Sequence, residues 1–236
     1  MKSDLEVLKK RGFITNVEAE IFFSYSKEEL FELLSDKQAF KRTAALYVLK
    51  NIIDINELDE IILKMLISEK ALYTKLEICN MLSTGNEMTI KKMIPYVGKI
   101  GKNQHHDIAK KVSMKKSYPL PRDIIARTMA KMNPRYFESI LENLNCGDDL
   151  VVAEIIDTVG WQVFYHQELA IEKYYQVIIN LLSRYQNNQF MLWKLIICLS
   201  SFNQAEDLLR KWKSDNLIMN QEIQRSIDLI VKRKNL

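Results

Sequence analysis

One segment of the chain repeats itself at a fixed offset, and that offset constrains the fold more than any other feature. Asp36, Arg42, Ala45, Val48 and Leu49 return thirty-three residues later as Glu69, Lys75, Ile78, Met81 and Leu82. An acid is followed six positions on by a base, and the base by apolar residues three, six and seven positions further. Such spacing puts the apolar residues on one face of a helix. Each repeat therefore reads as one helix–turn–helix unit, which cannot bury its apolar face alone and must stack on neighbours.

Local signals agree. Six Gly and four Pro in 236 residues are too few for the turns of an all-β protein. Ser26, with Glu29 three residues on, is a capping box that starts a helix. Its buried stripe is Leu30, Phe31, Leu33 and Leu34. Asp36 can cap the partner helix, whose inner face is predicted to run through Phe40, Ala44, Ala45, Val48, Leu49 and Ile52, the small alanines permitting close approach. Further helices are predicted over 58–67, 73–82, 88–100, 122–132, 135–144, 150–159, 171–185, 190–202, 203–213 and 220–231. Asn133-Pro134 supplies a cap and a first-turn proline for one of them. Two short periodic stretches, 5–9 and 17–23, precede the first repeat.

The run Leu33-Leu34-Ser35-Asp36, with Arg42, Ala44-Ala45 and Val48-Leu49, resembles a HEAT repeat. The resemblance is good over 29–82, partial over 88–160 and poor beyond 160. It implies an all-α fold, a right-handed α-solenoid of HEAT-like antiparallel helix pairs. It also implies an acid–base ladder between repeats, in which Asp36, Arg42, Glu69 and Lys75 are structural. The expected organisation is a single domain over 1–236, with a cap over 1–25, the best-matched repeats over 26–102, an insertion over 103–121 and degenerate repeats over 122–236.

Charge is segregated. Residues 91–135 hold twelve Lys/Arg against only Asp107 and Asp123, a net of +10, whereas the remainder of the chain carries −6. Such clustering is the footprint of an anion-binding surface, with Lys110, Lys111, Lys115, Lys116, Arg122 and Arg127 as its candidate contacts. The plain alternative is a solvated lysine-rich loop. Inside this segment the insertion lacks periodicity. Its end, Ser117-Tyr118-Pro119-Leu120-Pro121, should be extended because residues before proline avoid the helical region. Tyr118 can either stack on a base or pin the loop to the body, and pinning is the favoured reading. His105-His106-Asp107 reads as a solvated turn, since no further His is near enough in sequence to complete a metal site.

A second constellation is Asp157, Trp161 and Tyr165, spaced by four and so on one helical face if the helix runs on through Gly160, with Trp193 brought alongside by the next pair. An aromatic slot holding one carboxylate is similar to the helical-repeat alkylpurine DNA glycosylases. That resemblance implies Asp157, Trp161 and Trp193 as catalytic residues, although Asp157 precedes Trp161, the reverse of the family's order. The plain reading is packing.

No apolar run approaches the roughly 20 residues of a membrane span, and the first twelve residues lack a signal core. Cys79, Cys146 and Cys198 are too scattered for a disulfide framework or zinc site, and buried thiols in a reducing cytoplasm are expected. No phosphate-binding glycine loop or hydrolase motif is present. The sequence thus points to a cytoplasmic, non-catalytic scaffold without cofactor, metal or membrane. It expects a protein partner, with nucleic acid through the basic segment, or DNA repair chemistry, as the alternative.

Overall fold

The computed structural model describes residues 4–235, so the first three residues of the expected N-terminal cap and the final residue of the degenerate repeats lie outside it. It is 69% helix, with no strand among the described residues. The chain forms two compact units, Met1–Met93 and Ile94–Leu236.

The first unit holds α1 (Leu5–Lys10), α2 (Asn16–Glu20), α3 (Lys27–Leu33), α4 (Ala39–Ile52), α5 (Ile55–Ser68), α6 (Leu72–Leu82) and α7 (Glu87–Met93). The capping box that opens α3 is formed: the Ser26 amide donates to the Glu29 carboxylate at 2.7 Å, and the Glu29 amide to the Ser26 hydroxyl at 3.2 Å. Thr15 and Glu18 build the same device at α2. α4 packs on α3 and α6, and α5 on α6 and α7. Ala44 and Ala45 are fully buried at these contacts. Ile52, predicted on the inner face, is 53% exposed. The helix ends there, and Ile53 turns the chain into an extended conformation.

The acid–base rung is built differently from the expected one. Arg42 Nε and Nη2 donate to both Glu69 carboxylate oxygens at 2.8 and 2.7 Å, a paired geometry that favours arginine. Arg42 Nη1 donates to the backbone carbonyl of Asp36 at 2.7 Å. The Asp36 carboxylate turns away, accepting from the Gln38 amide and lying 3.5 Å from Lys41. Lys75 forms no ion pair among the described residues. A second rung, unforeseen from the sequence, joins Lys92 to the buried Asp59 at 2.7 Å, and Thr89 donates to the other Asp59 oxygen. Lys92 is therefore not a spare cation of the basic segment.

The second unit holds α8 (Ile124–Ala130), α9 (Phe137–Leu141), α10 (Asp149–Tyr165), α11 (Glu172–Arg184), α12 (Gln189–Leu199), α13 (Glu206–Lys211) and α14 (Leu217–Lys234). α8, α10, α12 and α14 pack in series, while α9, α11 and α13 each contact the helix that follows. α10 and α12 are covered on nearly every side, which is why their sequences are apolar all round rather than along one stripe. The helix predicted over 88–100 stops at Met93. Pro95, lacking an N–H, allows only a 3-10 turn over Ile94–Tyr96, and Gly98 at φ +74° turns the chain out of it. From 101 to 123 there is no helix, so the insertion predicted over 103–121 is irregular throughout.

Replacing Ala45 with Glu puts a carboxylate between packed helices. It should cost the first unit about 3 kcal/mol or more. Chemical denaturation would read this directly, and a variant as stable as wild type would mean that the contact does not exclude solvent.

Candidate functional site

The irregular segment is fixed at both ends. At its start, Gln104 donates to the Ile100 carbonyl at 2.9 Å and to Asp123 Oδ2 at 2.8 Å. Asp123 Oδ2 also accepts from the Gly98 amide, while Oδ1 accepts the Ile125 and Ala126 amides that open α8. One buried carboxylate thus joins the two ends of the segment. Near its close, Arg225 of α14 donates to the carbonyls of Lys115 and Ser117 at 3.3 and 2.7 Å, and to Glu222 at 2.5 Å. Tyr118 is buried against α10 at Gly160, where a side chain would collide with its ring: a Cβ there would lie 1.9 Å from the Tyr118 hydroxyl. Tyr118 pins the loop, and its burial removes it as a stacking platform for a base.

Held this way, the segment walls a cavity of about 400 Å³ against α8, α10, α12 and α14. His105, Lys111, Lys115 and Arg122 come from the segment and Arg127 from α8. Asp157, Trp193, Ile197 and Glu222 line it from α10, α12 and α14, and Pro119, Leu120 and Ala109 add apolar surface. Lys110 lies instead on an adjoining shallow recess with His106 and Arg122, and Lys116 lines neither.

The charges inside the wall divide into two sets. Lys194 is 1% exposed, and its ammonium sits 2.9 Å from Glu154 and 2.9 Å from Asp157. One ammonium can neutralise only one of them. Burial, more than the opposing pull of Lys194 and the push of Asp157, drives Glu154 up to about 7. Glu222 is likewise raised by burial, against the attraction of its partner Arg225. Both acids at the cavity thus already have cations. Lys111, Lys115, Arg122 and Arg127 have no carboxylate within ion-pairing distance among the described residues; Arg127 Nε is spent on the Pro121 carbonyl at 2.8 Å. The lining carries an excess of positive charge over an apolar floor.

His105 is half-buried and packs edge-on against Trp193, with ring centroids 5.0 Å apart, so it is no solvated turn. Burial lowers its pKa, helped by Arg122 and Lys194. The Trp193 indole N–H is buried without an acceptor. Trp161 is not in the cavity: it packs against Tyr165 at 4.5 Å further along α10. Asp157 and Trp193 are therefore brought together, and Trp161 is left out. Of the cysteines, Cys198 is buried and its thiol pushed up by burial, while Cys79 and Cys146 are only partly covered. Sequence reasoning missed Lys194, Glu154, Glu222 and Arg225. A signal existed: Lys194 interrupts the apolar run 192–199, and Glu154 another at 151–156. A charge inside such a run needs a buried partner.

Two outcomes follow from this geometry. Gly160→Ala should gain the usual helical advantage of alanine yet lose about 1–3 kcal/mol net, because Tyr118 must leave its notch. Cleavage within 103–121 by limited proteolysis should accelerate, whereas a stabilised variant with unchanged cleavage would show that the notch does not hold the loop. For Glu154 the folded pKa lies above the unfolded value of 4.5, so the folded chain retains a proton that the unfolded chain releases. Its contribution to stability is complete below about 4.5 and lost as pH rises to about 7. Glu154→Gln removes that loss. The Tm of the variant relative to wild type should climb across the window, by the equivalent of about 3 kcal/mol; a constant difference would mean that Glu154 is ionised throughout.

No protein-family model matches the chain, and no curated protein does. Three crystal structures of engineered proteins from the Northeast Structural Genomics Consortium are similar to it. The first is 14% identical, covers 87% of this chain and 96% of its own, and has a TM-score of 0.40. The second is 15% identical, with coverages of 88% and 99% and a TM-score of 0.39. The third is 12% identical, with coverages of 95% and 62% and a TM-score of 0.35. Likeness at this level fixes neither fold family nor function.

Proposed function

We propose that the chain is a non-catalytic binding module, a HEAT-like α-solenoid that docks an anionic partner, foremost an acidic protein surface, through the basic segment 91–135. Paired helices packing in series in the second unit, each touching mainly its neighbours, support the solenoid reading. A single observation carries the binding reading. Lys111, Lys115, Arg122 and Arg127 converge on one cavity, and none is neutralised by a carboxylate. Surface cations that serve only solubility have no reason to gather around one concavity. Among the described residues no helix is long and apolar enough to cross a membrane.

One observation favours a second reading, that of a DNA glycosylase: Asp157 and Trp193 line the same basic cavity. Two features weigh against it. Asp157 is held by Lys194, which blunts its charge toward a cationic transition state, and Trp161 faces elsewhere.

The two readings part in one set of measurements. Wild type should be retained on immobilised polyglutamate and on duplex DNA, eluting earlier as salt rises. Changing Lys110, Lys111, Lys115 and Lys116 together to Glu should abolish retention with little change in Tm, because all four are exposed. Unaltered elution of that variant would end the claim that these lysines form the docking zone. Retention on DNA far above polyglutamate would shift the partner to nucleic acid. Incubation with alkylated DNA should release no methylated purine; release that Asp157→Asn abolishes would establish the enzymatic reading instead.

A further inference from the structure

The cavity has features that a flat docking surface does not need. It is about 400 Å³, the size of a small-molecule site. Its wall is an irregular segment clamped by the Gln104–Asp123 bond, the Arg225 bonds and the Tyr118 notch, so the backbone that carries its cations is held in place. Its floor is apolar and aromatic, from Leu120, Ile197 and Trp193. Acceptors remain unspent there. Asp157 uses Oδ2 for Lys194 and Glu222 uses Oε1 for Arg225, leaving the second oxygen of each as an acceptor.

These features define a ligand. The cations call for an anionic phosphate, monoester or diester, for which arginine and lysine together are suited. A bare phosphate would leave the apolar floor and the two acids without contacts, and the acids would repel it. A planar ring with hydrogen-bonding edges fills that floor and gives the acid oxygens hydroxyl or amino donors. We infer that this cavity binds a nucleoside monophosphate unit, its phosphate against Lys111, Lys115, Arg122 and Arg127 and its ring over Trp193 and Ile197. The unit comes either as a free nucleotide or as one nucleotide of a single strand. The inference goes beyond docking of an acidic surface, and it rests on the same reading of these cations as anion contacts.

The test is equilibrium binding of the full chain to each of the four ribonucleoside monophosphates, to inorganic phosphate and to a mixed-sequence single-stranded oligonucleotide. At least one nucleotide or the oligonucleotide should saturate one site per chain, and inorganic phosphate should bind at least tenfold more weakly. Arg122→Gln together with Lys111→Gln, both at exposed positions, should weaken binding tenfold or more. Trp193→Phe, which shrinks the aromatic floor, should weaken the nucleotide more than it weakens inorganic phosphate. Saturation by a free nucleotide assigns the small-molecule source, and saturation by the oligonucleotide alone assigns the strand. No saturable binding of either, or inorganic phosphate binding as tightly as any nucleotide, overturns the inference. Failure of the docking reading looks different: wild type would then not be retained on any polyanion. A protein that is retained on polyglutamate yet saturates with no nucleotide keeps the docking zone and loses the nucleotide site.

Discussion

The second unit is organised around one ammonium. Lys194 is inside the apolar α12 and reaches two carboxylates on α10, so it ties together the two most deeply covered helices and sets the orientation of Asp157 at the cavity. A buried charge of this kind is poor evidence for stability, because taking three charges out of water costs as much as their attraction returns. What it does secure is register. An α12 shifted by one residue would carry Lys194 about 100° around the helix and leave the ammonium in hydrocarbon. The arrangement also explains why the acid nearest the cavity has so little free charge to offer a reaction.

The same device recurs with different chemistry. Arg42 grips Glu69, Lys92 grips Asp59, and Lys194 grips Glu154 and Asp157. In each case the partners lie on different turns of the fold, 27 to 40 residues apart in sequence. Glu69, Asp59 and Glu154 are buried while Asp157 is partly exposed, and the base is partly exposed in the first two and buried only in the third. Arginine with two parallel bonds fixes orientation as well as distance. A lysine supplies a point charge that can serve two acids, which suits Asp59 with Glu60 and Glu154 with Asp157.

Much of the helical content was legible because its signals are local. The capping box at Ser26 and the buried alanines of α4 depend on residues within a turn or two of each other, whereas the helix predicted over 150–159 in fact runs on through Gly160 to Tyr165. What escaped was set by distant residues. The role of Asp36 passed to its carbonyl because Glu69, not Asp36, came into reach of both Arg42 nitrogens. The basic segment was visible as charge, but its partition was not: Lys92 is consumed by Asp59, four residues face the cavity, and Lys116 faces none. The Asp157–Trp193 pair was anticipated, but Trp161 was assigned to the same slot on spacing alone. A shared helical face does not say which neighbour that face meets.

The irregular segment shows why a break in a helical repeat can be kept. Twenty-three residues without helix leave many backbone groups to satisfy, and the fold answers with specific anchors rather than with a new element. Two buried polar atoms there have no partner among the described residues: the Tyr118 hydroxyl in its notch and the Trp193 N–H. An unpaired buried donor costs roughly 1–3 kcal/mol, and a phenylalanine at either position would avoid it. At Tyr118 the hydroxyl lies sealed against α10, so nothing from the cavity side can relieve it. At Trp193 the ring borders the cavity. Its nitrogen is nevertheless as closed off as the Tyr118 hydroxyl, so what fills the space meets the indole carbons and not the N–H.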